Sequence, residues 1–120
     1  MKNRYYIGYY IQRIVNGIDD ILEFTKGRTY DDFIKDKKTI NAVVRSLELI
    51  AEAAEKIPVE IKTRYNYIPW KLISGKEDKL RQPFEYFGCD PEKVWAVVTS
   101  EIPPIRPFMD IIIKEINQEI

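Results

Sequence analysis

Apolar residues recur along this chain at alternating intervals of four and three. Ile7, Ile11, Ile14, Ile18 and Ile21, with Thr25 closing the series, place one seam along an amphipathic helix over roughly residues 3–25, and Leu22 and Phe24 broaden it. Gly27 is positioned to stop that helix, since glycine closes helices at little conformational cost. Thr29 followed by Asp32 has the form of a capping box, and Asp31 and Asp32 suit the positive end of a short helix through about Lys35. Lys35, Lys37 and Lys38 then predict a solvated, lysine-rich turn.

Ile40, Val43, Leu47, Ile50, Ala54 and Ile57 define a second long helix over roughly 38–57, stopped by Pro58. At about 100° per residue, Ala42, Leu49 and Ala53 extend its apolar arc past half the circumference. Such a helix is expected at the centre of a bundle or buried further by a partner, and Ala51, Ala53 and Ala54 would let another helix come close. Asn41, Arg45, Glu48, Glu52 and Glu55, with Lys56 at the margin, form its polar strip. The carboxylates of that strip are compatible with a metal ion. The reading preferred here is a solvated strip, partly paired through helical-neighbour contacts with Arg45 and Lys56.

Residues 59–67 predict a short amphipathic turn and loop, and a helix starting at Pro69 carries Trp70, Leu72, Ile73 and Leu80 as core, running on to Gly88. Pro83 lies inside it and predicts a break or bulge around 81–84. Asp90-Pro91-Glu92 restarts a helix with a cap, a first-position proline and an acid in the first turn. Val94, Trp95, Val98 and Ile102 mark its face. Pro103, Pro104 and Pro107 interrupt it, and Ile105, Phe108, Met109, Ile112, Ile113 and Ile116 resume helical spacing. No repeat or strand is expected. The fold class is all-α, a four- to five-helix up-and-down bundle in one domain over residues 1–120.

Composition narrows the chemistry. Nineteen basic and nineteen acidic residues cancel, which argues against non-specific, charge-driven nucleic-acid binding but leaves room for a local basic patch. The single cysteine, Cys89, cannot form an intrachain disulfide, and no segment reads as a signal peptide or membrane span, so a cytoplasmic protein is expected. The chain contains no histidine, so Ser-His-Asp, Cys-His and histidine-zinc arrangements are excluded. Tyr5, Tyr6, Tyr9 and Tyr10 crowd the first helix, either as a base-stacking platform or as an amphipathic core or interface edge.

The segment 70–88, WKLISGKEDKLRQPFEYFG, concentrates charge and aromatic rings and is the candidate active site. With DILEFTKG (20–27), DDFIKD (31–36), NAVVRSLELIAEAAEKIP (41–58), IPWKLISG (68–75), EYFGCD (85–90) and VWAVVTSEIP (94–103), it resembles the HepT branch of the HEPN superfamily. Those proteins are small helical toxins encoded beside a minimal nucleotidyltransferase antitoxin. The resemblance implies a homodimer, an RNA substrate, an MNT-type nucleotidyltransferase as partner, and neither metal nor cofactor.

The family motif is Arg, four residues, His, one residue, Tyr, within G-x-R-D-K-L-x-H-x-Y-F-G. Aligned from the left, Gly75, Asp78, Lys79 and Leu80 fit, but Glu77 stands in the arginine place and Gln82 in the histidine place. Aligned from the right, Tyr86-Phe87-Gly88 fits, and Phe84 and Lys79 take the histidine and arginine places. The resemblance thus places a degenerate catalytic motif at Glu77, Asp78, Gln82, Phe84 and Tyr86, with Tyr86 also the expected site of AMP transfer by the partner. Arg45 and Glu52 become candidates to support the motif from the second long helix. Catalytic impairment is expected. The alternatives are a catalytically inactive binding partner of the nucleotidyltransferase, or a nucleotide-binding or scaffolding helical dimer.

Overall fold

The computed structural model describes residues 2–75 and 90–118, and every regular element among them is helical. The long helix α1 (Lys2–Thr25) carries the predicted seam: Ile11, Ile14, Ile18 and Ile21 are fully buried. Thr25 Oγ1 donates to the Ile21 carbonyl at 2.8 Å, and Gly27 follows at a φ of 72°, a left-handed conformation that glycine adopts without strain.

The predicted capping box opens α2 (Tyr30–Lys35): Asp32 N donates to Thr29 Oγ1 at 3.1 Å, and Thr29 N donates to the Asp32 carboxylate at 3.2 Å. Phe33 is fully buried on its inner side, a burial that contributes roughly 1.5–3 kcal/mol. The lysine-rich stretch is not the loop expected. Asp36 alone separates α2 from α3 (Lys37–Glu55), because its carboxylate caps the new helix, accepting from Thr39 N at 3.2 Å and from Thr39 Oγ1 at 2.7 Å.

α3 packs along α1 and also touches α2 and a short helix that follows it, which agrees with the first of the two expectations, a central place in the bundle. Val43, Val44, Leu47, Ile50, Ala51, Ala53 and Ala54 are buried within the chain itself. α1 is flanked on several sides as well, touching α3, a C-terminal helix and the π-helical turn described below. A close approach not anticipated from the alanines lies at Gly17. A Cβ built there would stand 2.5 Å from Ile50 Cγ1.

Two short helices follow, α4 (Val59–Arg64) and α5 (Trp70–Ile73). The helix begun at Pro69 therefore closes after one turn, with Gly75 at a φ of 79°. Leu80 and the break expected at 81–84 lie outside the described residues.

Asp90 caps α6 (Pro91–Ala96), its carboxylate accepting from Glu92 N at 3.0 Å. A π-helical turn, Val97–Glu101, continues it, with Ile102 N donating to the Val97 carbonyl at 3.0 Å. Pro103 and Pro104 have no N–H for the Thr99 and Ser100 carbonyls, and the widened turn ends the helix before their rings clash with it. Val94, Val98 and Ile102 are buried as expected, Val97 is buried as well, and Trp95 is half-buried.

The last helix, α7 (Ile105–Gln118), buries Ile105, Met109, Ile112 and Ile116 against α1. Phe108, part of the same helical spacing, is 41% exposed and meets the Tyr67 ring at 5.0 Å. Arg106 ties α7 to α1, its Nε donating to Asp19 at 2.7 Å and its Nη1 to Asp110 at 2.6 Å. Both carboxylates hold its pKa above the ordinary arginine value, hydrogen bonding to Asp19 first. Among the described residues no helix is long and apolar enough to cross a membrane.

Candidate functional site

The motif positions Glu77, Asp78, Gln82, Phe84 and Tyr86 lie outside the described residues. What the structure gives is the two supports from which their segment departs and to which it returns. On the entering side, Tyr65, Ile68, Leu72 and Ile73 are all buried. Trp70 Nε1 donates to the Tyr65 carbonyl at 3.0 Å, so the indole holds α5 onto the end of α4. Tyr65 in turn donates its hydroxyl to Glu115 Oε1 of α7 at 2.6 Å. Burial raises the Tyr65 pKa, and the bond to Glu115 raises it further. Ser74 N and Gly75 N then donate to the Trp70 and Leu72 carbonyls, both at 3.0 Å, closing α5 as a turn.

On the returning side, the Asp90 cap fixes the start of α6, and Trp95 lies 5.0 Å from the Phe33 ring of α2. α5 packs on α3, whereas α6 packs on α2. Since α2 and α3 also touch, the two supports share one scaffold.

Arg45 and Glu52 sit together on the outer strip of α3. Arg45 Nη1 lies 3.2 Å from Glu48 Oε1 and 3.8 Å from Glu52 Oε2, with the Arg45 and Glu52 side chains 60% and 64% exposed. Pairing along the helix is the arrangement expected for a solvated strip. Glu48 and Glu52, two of the carboxylates that could have served a metal, turn to the guanidinium of Arg45.

Two further features stand out: the tyrosine cluster, expected as either a stacking platform or a core or interface edge, and a concavity that the sequence reading missed. Tyr6 and Tyr9 are exposed while Tyr10 is half-buried, and both outer rings meet Tyr10 edge-on at 4.9 Å. Arg13 lies over the Tyr9 ring at 5.7 Å from its centroid. The cluster is therefore an exposed edge of α1 capped by a cation. The second feature is a concavity where α1 ends and α3 begins, lined in part by Lys26, Arg28 and Lys38. Its signal was present in the sequence: Asp36 three residues before Thr39 is a helix start, which folds Lys38 back towards the end of α1.

The family model described as ribonuclease HepT-like matches residues 14–112. The chain is 40% identical over 110 residues to Putative RNase MJ0125 of Methanocaldococcus jannaschii, covering 92% of this chain and 93% of that protein. Putative RNase MJ1216 of the same organism is 43% identical over 108 residues, covering 90% and 88%. Probable ribonuclease HepT of Thermococcus cleftensis is 39% identical over 97 residues, covering 81% and 86%. No solved structure gives a significant match.

Proposed function

Because the chain belongs to the HepT-like ribonuclease family, we propose that it is the toxin half of a HEPN/MNT toxin–antitoxin pair: a single-domain, homodimeric, cytoplasmic RNA endonuclease by descent, impaired at its motif. The observation that carries this reading is the family match across residues 14–112, which spans the motif segment, combined with a histidine count of zero.

Cleaving RNA without a metal requires activating a ribose 2′-hydroxyl, stabilising charge on the phosphate, and protonating the leaving 5′-oxygen. A histidine titrating near neutrality suits both proton transfers. An arginine, always charged and able to donate two parallel hydrogen bonds, suits the phosphate. Here Glu77 would repel a phosphate where an arginine should attract it, and neither Gln82 nor Phe84 exchanges a proton near neutral pH. Lys79 and Arg81 can contribute charge but not proton transfer. Arg45 and Glu52, paired on α3, are the residues proposed to steady the motif from outside it.

Tyr86 keeps the family's Tyr-Phe-Gly setting. In the proposed pairing the nucleotidyltransferase moves AMP from ATP to this residue: the phenol oxygen bonds to the α-phosphorus, pyrophosphate leaves, and the phenolic proton is released. The added phosphate would repel RNA. The same histidine-free motif supports a second reading, a catalytically inactive binding partner of the nucleotidyltransferase.

The test compares RNA cleavage by this protein and by a repaired version carrying Glu77→Arg, with Ile-His in place of Arg81-Gln82-Pro83-Phe84. Cleavage by the repaired protein alone supports an inactivated ribonuclease. Equal cleavage by both places the acid and base elsewhere. Cleavage by neither favours the binding partner.

A further inference from the structure

The junction of α1 and α3 holds an open cavity of about 400 Å³. Ligand pockets begin at roughly 300 Å³, so one nucleotide unit fits within the size range. Lys26, Arg28 and Lys38 bring three cations to its wall and Glu23 one carboxylate. In a chain whose charges cancel overall, three cations against Glu23 and the Asp36 paired with Arg28 leave a local positive excess in a concave setting, where fields are focused.

The cations are not used up by the fold. Arg28 is fixed at the wall by one bond, from Nη1 to Asp36 Oδ2 at 3.1 Å, which leaves most of its donors available. Neither Lys26 nor Lys38 has an ion-pair partner among the described residues. Lys26, just past the end of α1, suits the negative end of that helix. Lys38 does not have this excuse: it stands in the first turn of α3, where a cation opposes the helix dipole. The helix end itself is already occupied by the Asp36 carboxylate, so an incoming anion would be held by side chains.

We propose that this cavity is a phosphate-binding site, and that the phosphate it takes is a phosphodiester of the RNA strand at a distance from the motif. Lysine ammonium groups hold phosphate as point charges, and the Arg28 fork adds directed donors. Phe24 and Ala42 supply an apolar part of the wall for a sugar or base. Glu23 limits how much negative charge the cavity accepts, which favours a singly charged diester over a triphosphate. The assignment to RNA rests on the ribonuclease reading; the assignment to a phosphate group does not.

The experiment titrates the full-length protein with a fluorescent single-stranded oligoribonucleotide across a series of salt concentrations. It is repeated with the double variant Lys26→Gln, Lys38→Gln and with Lys114→Gln on α7 as a control. In parallel, inorganic phosphate is added to the labelled proteins and the amide signals of residues 26–28 are followed, the same spectra showing that each variant is folded. Removing the two lysines that hold this phosphate should weaken RNA binding roughly tenfold at low salt and flatten the log–log salt slope by about 0.7, with the control unchanged. If RNA binding is absent, or unchanged in the double variant, while phosphate shifts the parent signals and not those of the variant, the site holds a free phosphate or nucleotide and the RNA assignment is overturned. If phosphate shifts nothing and the double variant keeps the parent slope, the site is refuted.

Discussion

Ile50 of α3 occupies the space that a side chain on Gly17 of α1 would need, with Cγ1 at 2.5 Å and Cδ1 at 3.0 Å from the ideal Cβ position. Replacing a mid-helix glycine with alanine ordinarily gains up to about 1 kcal/mol. Here overpacking against a fully buried isoleucine should outweigh that gain, for a net loss of about 1–2 kcal/mol. Gly17→Ala should therefore lower the urea midpoint at an unchanged slope, and pairing it with Ile50→Ala, which removes both clashing atoms, should cost less than the sum of the two. A stabilised Gly17→Ala would show that the helices separate freely at this point.

Tyr65→Phe removes the 2.6 Å bond to Glu115 and should cost about 0.5–1.5 kcal/mol near neutral pH. The folded state raises the pKa of this phenol, chiefly through burial, so the folded state holds the proton more tightly than the unfolded chain does. Its contribution is complete below an unfolded value of about 10 and is lost as pH rises through the higher folded value. The stability gap between parent and variant should narrow in alkaline urea titrations. A constant gap would mean that the phenol is not held neutral.

Asp36 behaves in the opposite sense. The Thr39 hydroxyl, then the Thr39 N–H, and then Arg28 hold its pKa below the ordinary value. Its contribution is complete above about 3.9 and is lost as pH falls through the lower folded value. Asp36→Asn should be less stable than the parent at neutral pH and converge with it in acid. Far-ultraviolet circular dichroism during acid titration tests this, and parallel curves throughout would refute it.

In the proposed pairing, incubation with an MNT-type nucleotidyltransferase and ATP should add the mass of AMP to this protein and leave Tyr86→Phe unchanged. Intact-mass measurement decides the point. Addition to the phenylalanine variant would move the acceptor to another residue.

The helical class was legible because isoleucine alone writes the seam of α1, and because the Thr29–Asp32 and Asp90-Pro91-Glu92 caps are local signals that folding keeps. Phe108 shares the helical spacing of α7 but stands at the margin of the Ile105, Met109, Ile112 and Ile116 seam, so it stays partly exposed. The lysine-rich stretch was misread because three cations outweighed a single capping aspartate in the pattern, although the cap alone sets the backbone. The width of apolar surface on α3 could not say what covers it, since an internal helix and an external one satisfy the same pattern. The motif itself was read from resemblance, and only its supports were accessible to packing arguments.

Those supports bear on how such a protein changes over generations. The α5 turn is closed by Trp70, Tyr65 and Gly75, and the α6 start by Asp90, Phe33 and Trp95, all through contacts the described residues make among themselves. A sequence strung between two posts that carry their own local contacts has room to be rewritten while the bundle keeps its core. Activity and foldability are then inherited as separate traits. A lineage can lose its chemistry in a few substitutions and still keep a folded protein.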